Sequence, residues 1–395
     1  MMTFQEAREC VIREVRGGRH LLELDRVELE SAGGRVLAEE VCADRDYPAS
    51  NRSVRDGFAV RSIDVPGELR VIGEVRAGEW FHGAVGAGEA VEIMTGAPLP
   101  DGADAVVMVE HVTRIGERNI RTERNSSPGQ FINPRGAEAR SGDVLLSPGK
   151  RLQFTDIALL ATVGRNPVPV YRKPMVAIVA TGDEIVAVNE TPLDHQIRNS
   201  NVYSLAMQVK RAGGLPEILA VAKDNPEDTR ALVDRGLASD MLLLSGGVSA
   251  GKYDIVESVL ADAGAEFYFD RVAIQPGQPL VFGRARGRFF FGLPGNPAST
   301  MVTFELFGRA ALELLGGQAE CPLPLTLARL TKDFRHKTGL TRFLPAHVSD
   351  GAELTPVAWK GSSDVPALCR ANAFLVADAD REEWKAGDFM PVLLK

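Results

Sequence analysis

Cysteine is scarce in this 395-residue sequence: Cys10, Cys42, Cys321 and Cys369 stand far apart and form no C-x-x-C pair. That excludes both a zinc framework and the disulfide lattice of a small secreted scaffold. The six histidines show no H-E-x-x-H or comparable spacing, so a histidine-bound metal is not expected. No apolar run approaches the roughly 18 residues that cross a bilayer. The net charge is −8, with no Lys/Arg-rich block. Nucleic acid and anionic membranes therefore find no electrostatic footing, although a local site can still take an anion. The opening MMTFQEAREC has neither a basic n-region nor an apolar h-region, and the cytoplasm is the expected location.

What is present describes an ordinary globular chain, 45% hydrophobic and 25% charged, too long for one hydrophobic core. Residues 3–16 read as a helix capped by Thr3 and stopped by Gly17-Gly18. From about 20 to 150 the texture is short β-like segments between Gly and Pro, followed by a short helix in TDIALLATVG that closes at Gly164. After Pro174 strands alternate with helices. MVAIVA (175–180) and MLLLS (241–245) are continuous apolar runs, as in strands covered on both faces. Helices are expected at about 200–212, opened by Asn199, Ser200 or Asn201, after Pro226, at 254–263 and at 298–315. Further strands are expected at 217–222, 266–274, 279–283 and 288–292. This rhythm implies an open, mostly parallel sheet with helices on both faces. Beyond the Cys321–Pro324 linker, five short strands predict a small β-barrel or sandwich.

Ligands of such sheets sit beyond the carboxyl ends of the strands. Three Gly-rich segments fall there: Thr181-Gly182-Asp183-Glu184, Ser245-Gly246-Gly247-Val248-Ser249-Ala250-Gly251, and Gly292-Leu293-Pro294-Gly295-Asn296-Pro297. Each alone is what any strand-to-helix turn needs; three at one sheet edge point to an anion-accepting pocket. From Gly246 the string GGVSAGKY is one residue from a P-loop, but Tyr253 cannot ligate Mg²⁺ as Ser or Thr does, and Asp254 reads as a helix cap. The carboxylates Asp183, Glu184, Asp224 and Asp254 crowd these loops. They suit a Mg²⁺ site, while Asp224 and Asp254 equally suit helix capping, and both roles are compatible. Ser53–Phe58 and Ile93–Ala97 read on their own as hairpin turns.

Six ordered motifs together are far more specific: S-x-x-D-G at 53–57, I-M-T-G-A-P-L-P at 93–100, A-T-G-D-E at 180–184, S-N at 200–201, S-G-G-V-S-x-G at 245–251 and G-L-P-G-N-P at 292–297. Over essentially its whole length the chain resembles the molybdopterin molybdenumtransferases, the bacterial MoeA type related to the E domain of gephyrin. The resemblance implies a central doubly wound three-layer α/β domain of molybdopterin-binding type, mostly-β N-terminal domains and a C-terminal β-barrel. It divides the chain into an N-terminal helix at 1–19 packing on the α/β unit, a linker/dimer domain at 20–47 and 140–172, a β-rich domain at 48–139, the α/β domain at 173–318 and the barrel domain at 319–395. It implies a cytoplasmic homodimer with its active site in a cleft between chains, acting with Mg²⁺ on adenylated molybdopterin and molybdate, releasing AMP and leaving Mo on the dithiolene. Molybdopterin adenylyltransferase and molybdoenzyme maturation factors are the implied partners, with no nucleic acid and no membrane.

By the same resemblance the functional carboxylates fall on Asp56, Glu184, Asp224 and Asp254, with Glu184, Asp224 and Asp254 placed to hold the metal. The loop threonine is Thr95. The pterin- and phosphate-clasping positions are Thr181, Gly182, Asp183, Ser245, Gly246, Gly247, Ser249, Pro294, Gly295, Asn296 and Pro297. Arg271 is placed to neutralise oxyanion charge, and Arg342 and Ser362 correspond to the C-terminal arginine and serine. Three departures stand out. Gly136-Ala137-Glu138 replaces the usual G-E-D, so Glu138 keeps a carboxylate one methylene longer; Arg55 replaces a methionine; and Gln275 and Gln278 replace two lysines. Amides donate hydrogen bonds without charge, so weaker anion binding is expected unless Arg55 or Lys252 restores it. Two alternatives follow: a paralogue with weakened catalysis acting in pterin or nucleotide binding or scaffolding, and a molybdopterin adenylyltransferase.

Overall fold

The computed structural model describes residues 1–19, 23–246 and 255–395. They form two compact units, one of Met1–Glu39, Pro148–Ile157 and Asn166–Lys395, the other of Glu40–Ser147 and Ala158–Arg165.

In the first unit the strands Leu215–Ile218, Met175–Ala180, Met241–Ser245 and Arg288–Leu293 run parallel in that order, and Pro279–Ala285 and Glu266–Arg271 extend the sheet antiparallel. Successive side chains of a strand alternate between faces. Val176, Ile178 and Ala180 therefore enter one core with the helices Phe4–Gly18 and Asn201–Ala212. Ala177 and Val179 enter another with Pro226–Gly236 and Ile255–Asp262. Burial on both sides is why the strand sequences are apolar throughout.

The N-terminal helix opens with a reciprocal capping box: Glu6 N donates to Thr3 Oγ1 at 3.2 Å, and Thr3 N donates to Glu6 Oε2 at 2.8 Å. It ends at Gly18, at the Gly17-Gly18 pair that the sequence marked, with Arg19 as its C-cap; a Cβ on Gly18 would lie 2.9 Å from the Phe289 ring, so that glycine also permits close packing. The helix expected over 298–315 is a continuous run from Pro297–Thr303 to Arg309–Leu315 with a π-helical turn, Phe304–Gly308, between them. The wide turn carries the buried Glu305, which meets Arg211 at 3.3 Å and Arg309 at 3.6 Å. The strand expected at 217–222 is Leu215–Ile218, and that expected at 266–274 ends at Arg271.

After that break Ile274–Gln275 leaves the α/β sheet and pairs in parallel with Thr341–Arg342. The strands Thr341–Val348, Glu353–Pro356, Leu325–Leu330, Phe389–Leu394 and Ala373–Ala377 are neighbours in that order, and the last returns to pair with the first. The result is a closed five-strand barrel. Its interior is narrow and accordingly takes small residues, Ala328, Ala346, Ala373 and Ala377, beside Leu330, Leu354 and Met390.

The second unit is built on a six-stranded sheet ordered Ala105–Met108, Gly57–Val60, Glu89–Ile93, Gly67–Val75, Asn119–Thr122, Val112–Arg114. Phe58, Val60 and Val107 face one core, Ala59, Val91 and Val106 the other. Neither Ser53–Phe58 nor Ile93–Ala97 is a hairpin turn. Gly57–Val60 lies between Glu89–Ile93 and Ala105–Met108, pairing antiparallel with both. Only glycine serves at 57, where a Cβ would stand 2.0 Å from the Val107 carbonyl oxygen.

Candidate functional site

The carboxyl ends of the three central parallel strands are stitched together: Thr181 N donates to Ser245 O at 3.0 Å and Gly246 N to Leu293 O at 3.2 Å. Above them lies an open cavity of ≈ 280 Å³, lined by Thr181, Glu184, Arg198, Asn201, Ser245, Gly246 and Gly295–Pro297 among others. Gly182 and Gly246 have φ of +140° and +98°. A Cβ would meet the Glu184 carboxylate at 2.5 Å in the first case and Thr181 O at 2.6 Å in the second. These glycines let the loops close on one another.

Asn201, noted in the sequence only as part of S-N and as a possible cap, ties the Ser245 and Gly295 loops together. Ser200 holds the capping position without a side-chain bond, and Asn201 starts the helix. Its amide Nδ2 donates to Ser245 Oγ at 2.9 Å and Gly295 O at 2.8 Å, with Thr300 Oγ1 at 3.3 Å. The first-turn amide of the following helix is also taken, since Ala298 N donates to Ser362 O at 2.9 Å. That bond brings Ser362, from beyond the linker, to the Pro294–Pro297 loop.

Asp183 and Asp224 hold each other through the backbone: Asp224 N donates to Asp183 Oδ1 at 3.3 Å and Asp183 N to Asp224 Oδ2 at 3.4 Å. Asp224 is not a helix cap. Asn225 has that role, accepting from Asp228 N at 2.9 Å. Glu184, Asp183 and Asp224 are exposed. Among the described residues no three metal-ligating side chains converge. Gly247, Ser249, Lys252 and Asp254 lie outside the described residues.

Arg271, Gln275 and Gln278 are exposed, and Gln278 Nε2 donates to Met1 Sδ at 3.2 Å. Gln275 is in register with Arg342. Arg342 is buried, donates from Nε to Lys337 O at 3.1 Å and has no ion pair among the described residues; burial pulls its pKa down.

The second unit has a cavity of ≈ 490 Å³ lined by Arg45, Tyr47, Arg52, Ser53, Thr95, Gly96, Asn133 and Glu138 among others. Ser53 N donates to Ala97 O at 3.0 Å and Gly96 N to Ser53 O at 2.8 Å, so the two motif loops zip together. Asp56 Oδ1 then accepts from Thr95 N at 2.7 Å and from Thr95 Oγ1 at 2.8 Å. These bonds, the backbone one foremost, hold the Asp56 carboxyl below the usual carboxylate range. Glu138 accepts from Asn133 Nδ2 at 2.9 Å. Asp56 is thus held to Thr95, and Thr95 and Glu138 line the same cavity. Arg45 and Arg52 line the same cavity, and no motif marks either of them; Arg45 lies over the Tyr47 ring at 5.5 Å. Arg55 is exposed and reaches only Val54 O, at 3.4 Å.

A ligand-binding α/β domain with its cavity at the strand ends, joined to a closed five-strand barrel and a β-rich unit, defines the class of protein. The comparisons narrow it. Residues 2–164 match the MoeA N-terminal region (domain I and II), 177–314 a probable molybdopterin binding domain, and 327–395 the MoeA C-terminal region (domain IV). A molybdopterin molybdenumtransferase of Bacillus subtilis (strain 168) is 38% identical over 390 residues, covering 94% of this chain and 90% of that one. A molybdopterin molybdenumtransferase of Staphylococcus aureus (strain Mu50) is 34% identical over 379 residues, covering 93% and 90%. The crystal structure of the molybdopterin biosynthesis MoeA protein from Pyrococcus horikoshii OT3 superposes with a TM-score of 0.84 at 28% identity, covering 100% of both chains. The chain belongs to the MoeA family of molybdopterin molybdenumtransferases. The match over all regions does not favour the paralogue or adenylyltransferase alternatives.

Proposed function

We propose that this chain acts in molybdenum cofactor biosynthesis as the transferase that inserts molybdate into adenylated molybdopterin and releases AMP. The observation that carries this reading is the meeting of Thr181–Glu184, Ser245–Gly246 and Pro294–Pro297 at one cavity over the parallel strand ends. In this reading these segments bind the pterin and nucleotide portions, and molybdate and the dithiolene-bearing pterin are substrates. Glu184 and Asp224, together with Asp254, would hold a divalent ion such as Mg²⁺, which would supply positive charge against the phosphate. Asp56, Thr95 and Glu138 form a second polar group, with Asp56 ionised and oriented by Thr95. The buried Arg342, with Ser362, Gln275, Gln278 and Arg271, serves oxyanion binding: a guanidinium without an internal counter-ion attracts an anion.

The functional assembly is a cytoplasmic homodimer completing its cleft from two copies, with molybdopterin adenylyltransferase supplying the adenylated substrate and maturation factors receiving the product. Among the described residues no helix is long and apolar enough to cross a membrane. Purified protein supplied with adenylated molybdopterin, molybdate and Mg²⁺ is expected to release AMP only when molybdate is present. Absence of molybdate-dependent AMP overturns the reading, and chelation of divalent ions without effect overturns the metal part alone.

A further inference from the structure

The cavity at the strand ends contains two hydrogen-bonding atoms that nothing among the described residues satisfies: Thr181 Oγ1 and Asn201 Oδ1, both buried. Thr181 is only 5% exposed. The orientation of the Asn201 amide is set by its neighbours. Gly295 O can only accept, so the nitrogen must face it, and Ser245 Oγ lies on the same side. The amide oxygen is left as an acceptor on the cavity wall. Folded proteins rarely leave a buried acceptor unpaired, and the exceptions call for a missing partner.

The partner of Asn201 Oδ1 is not an anion, whereas the Thr181 hydroxyl can donate as well as accept. A phosphate oxygen opposite Asn201 Oδ1 would place acceptor against acceptor. Nor do the first positions of the Pro297–Thr303 helix offer donors: Pro297 has no N–H, and the Ala298 N–H is held by Ser362 O. The lining cation nearest in sequence to this wall, Arg198, is exposed and anchored through Nε to Glu190 O at 2.9 Å. It suits the charged part of a ligand whose ring lies further in.

We propose that the Thr181–Asn201 wall recognises the N–H-bearing edge of a flat heterocycle, with Asn201 Oδ1 and Thr181 Oγ1 as the accepting pair. Asn201 is thereby a specificity-determining residue as well as the clamp of the Ser245 and Gly295 loops. The inference rests on reading this cavity as a pterin- and nucleotide-binding site, and it reverses the expected polarity there: the sequence points to an anion cradle, whereas the buried Asn201 oxygen asks for a donor. Two rings of the proposed substrate have such an edge, adenine with its 6-amino group and pterin with its 2-amino group.

The experiment is calorimetric binding to the full chain. AMP is compared with purine riboside 5′-monophosphate, which lacks the 6-amino group, and pterin with its 2-dimethylamino analogue. For the ring that occupies the wall, loss of the N–H is expected to weaken binding by about tenfold or more. Thr181→Val keeps the shape, removes no hydrogen bond found among the described residues, and should reduce that discrimination to below about threefold; Thr181→Ser should preserve it. The pair of analogues that shows the effect identifies the ring. Equal discrimination in wild type and Thr181→Val, or none in wild type although both parent ligands bind, overturns the inference alone. Failure of wild type to bind either parent overturns it together with the proposed function.

Discussion

Two of the cavities of this molecule are open and carry polar linings, yet they are built on opposite principles. The one over the parallel strands is made from backbone ends drawn together by Gly182, Gly246 and the Asn201 amide, and the atoms left unsatisfied among the described residues are neutral, an amide oxygen and a hydroxyl. The one in the second unit is lined by two guanidinium groups, Arg45 and Arg52, and by the Glu138 carboxylate, with the Asp56–Thr95 pair beside it. Directional hydrogen bonding decides what fits the first. Charge decides what is drawn to the second, and charge between exposed groups is screened by salt whereas buried hydrogen bonding is much less so.

The comparison breaks most severely at Gly57. Gly57→Ala drives a methyl into the Val107 carbonyl and should destabilise the second unit by about 3 kcal/mol or more, as overpacking against backbone does. Denaturation followed by hydrogen exchange should show that loss in the six-stranded sheet while the parallel sheet keeps its protection; uniform protection in both would contradict the assignment. Next in size, Asp56→Asn keeps the shape but removes the charge that Thr95 orients. Molybdate-dependent AMP release should fall about 100-fold, in the range of a lost catalytic carboxylate, and near-normal turnover would leave Asp56 a loop fastener only.

A smaller effect concerns pH. Because the Asp56 pKa is depressed by the Thr95 bonds, the stabilisation it contributes is fully present above the ordinary carboxylate value. It is lost only as pH falls through the lowered one. Thr95→Val removes the hydroxyl bond and keeps the backbone one, so it should move that titration part of the way toward the ordinary value of about 3.9, read by carboxyl carbon NMR; an unmoved titration would leave the depression to the backbone bond alone. The least effect is expected from Gln275→Lys with Gln278→Lys. Both side chains are exposed, so the added charges should tighten molybdate binding no more than about fivefold. A gain of 100-fold would show that these positions meet the oxyanion away from solvent.

Much of the fold was legible because it is written in short-range chemistry. MVAIVA and MLLLS read as strands buried on both faces and Thr3 as the cap of the first helix, and the structure has them so. The π-helical turn Phe304–Gly308 inside the helix expected over 298–315 was not legible, since the buried Glu305 that it carries meets Arg211, far away in sequence. Nor was the separation of Glu89–Ile93 from Ala105–Met108 by Gly57–Val60, since strand order depends on residues far apart in sequence. Among candidate site residues, Asp224 shows the difference most clearly. Its position before a helix read equally as cap or ligand, and the Asn225 side chain takes the cap and leaves Asp224 to Asp183. Arg45 and Arg52 carried no motif at all.

The order of residues settled the elements, the parallel α/β core, the barrel strands and the motif loops, because hydrophobic period, glycine and proline act over a few residues at a time. It could not settle which way a donor faces. Whether Asn201 caps its own helix or clamps Ser245 and Gly295, and whether the wall beside it offers protons or lone pairs, depends on atoms 44 and 94 residues away in sequence. Hydrogen bonds are directional and reach only about 3 Å, so that choice exists only once the chain has folded.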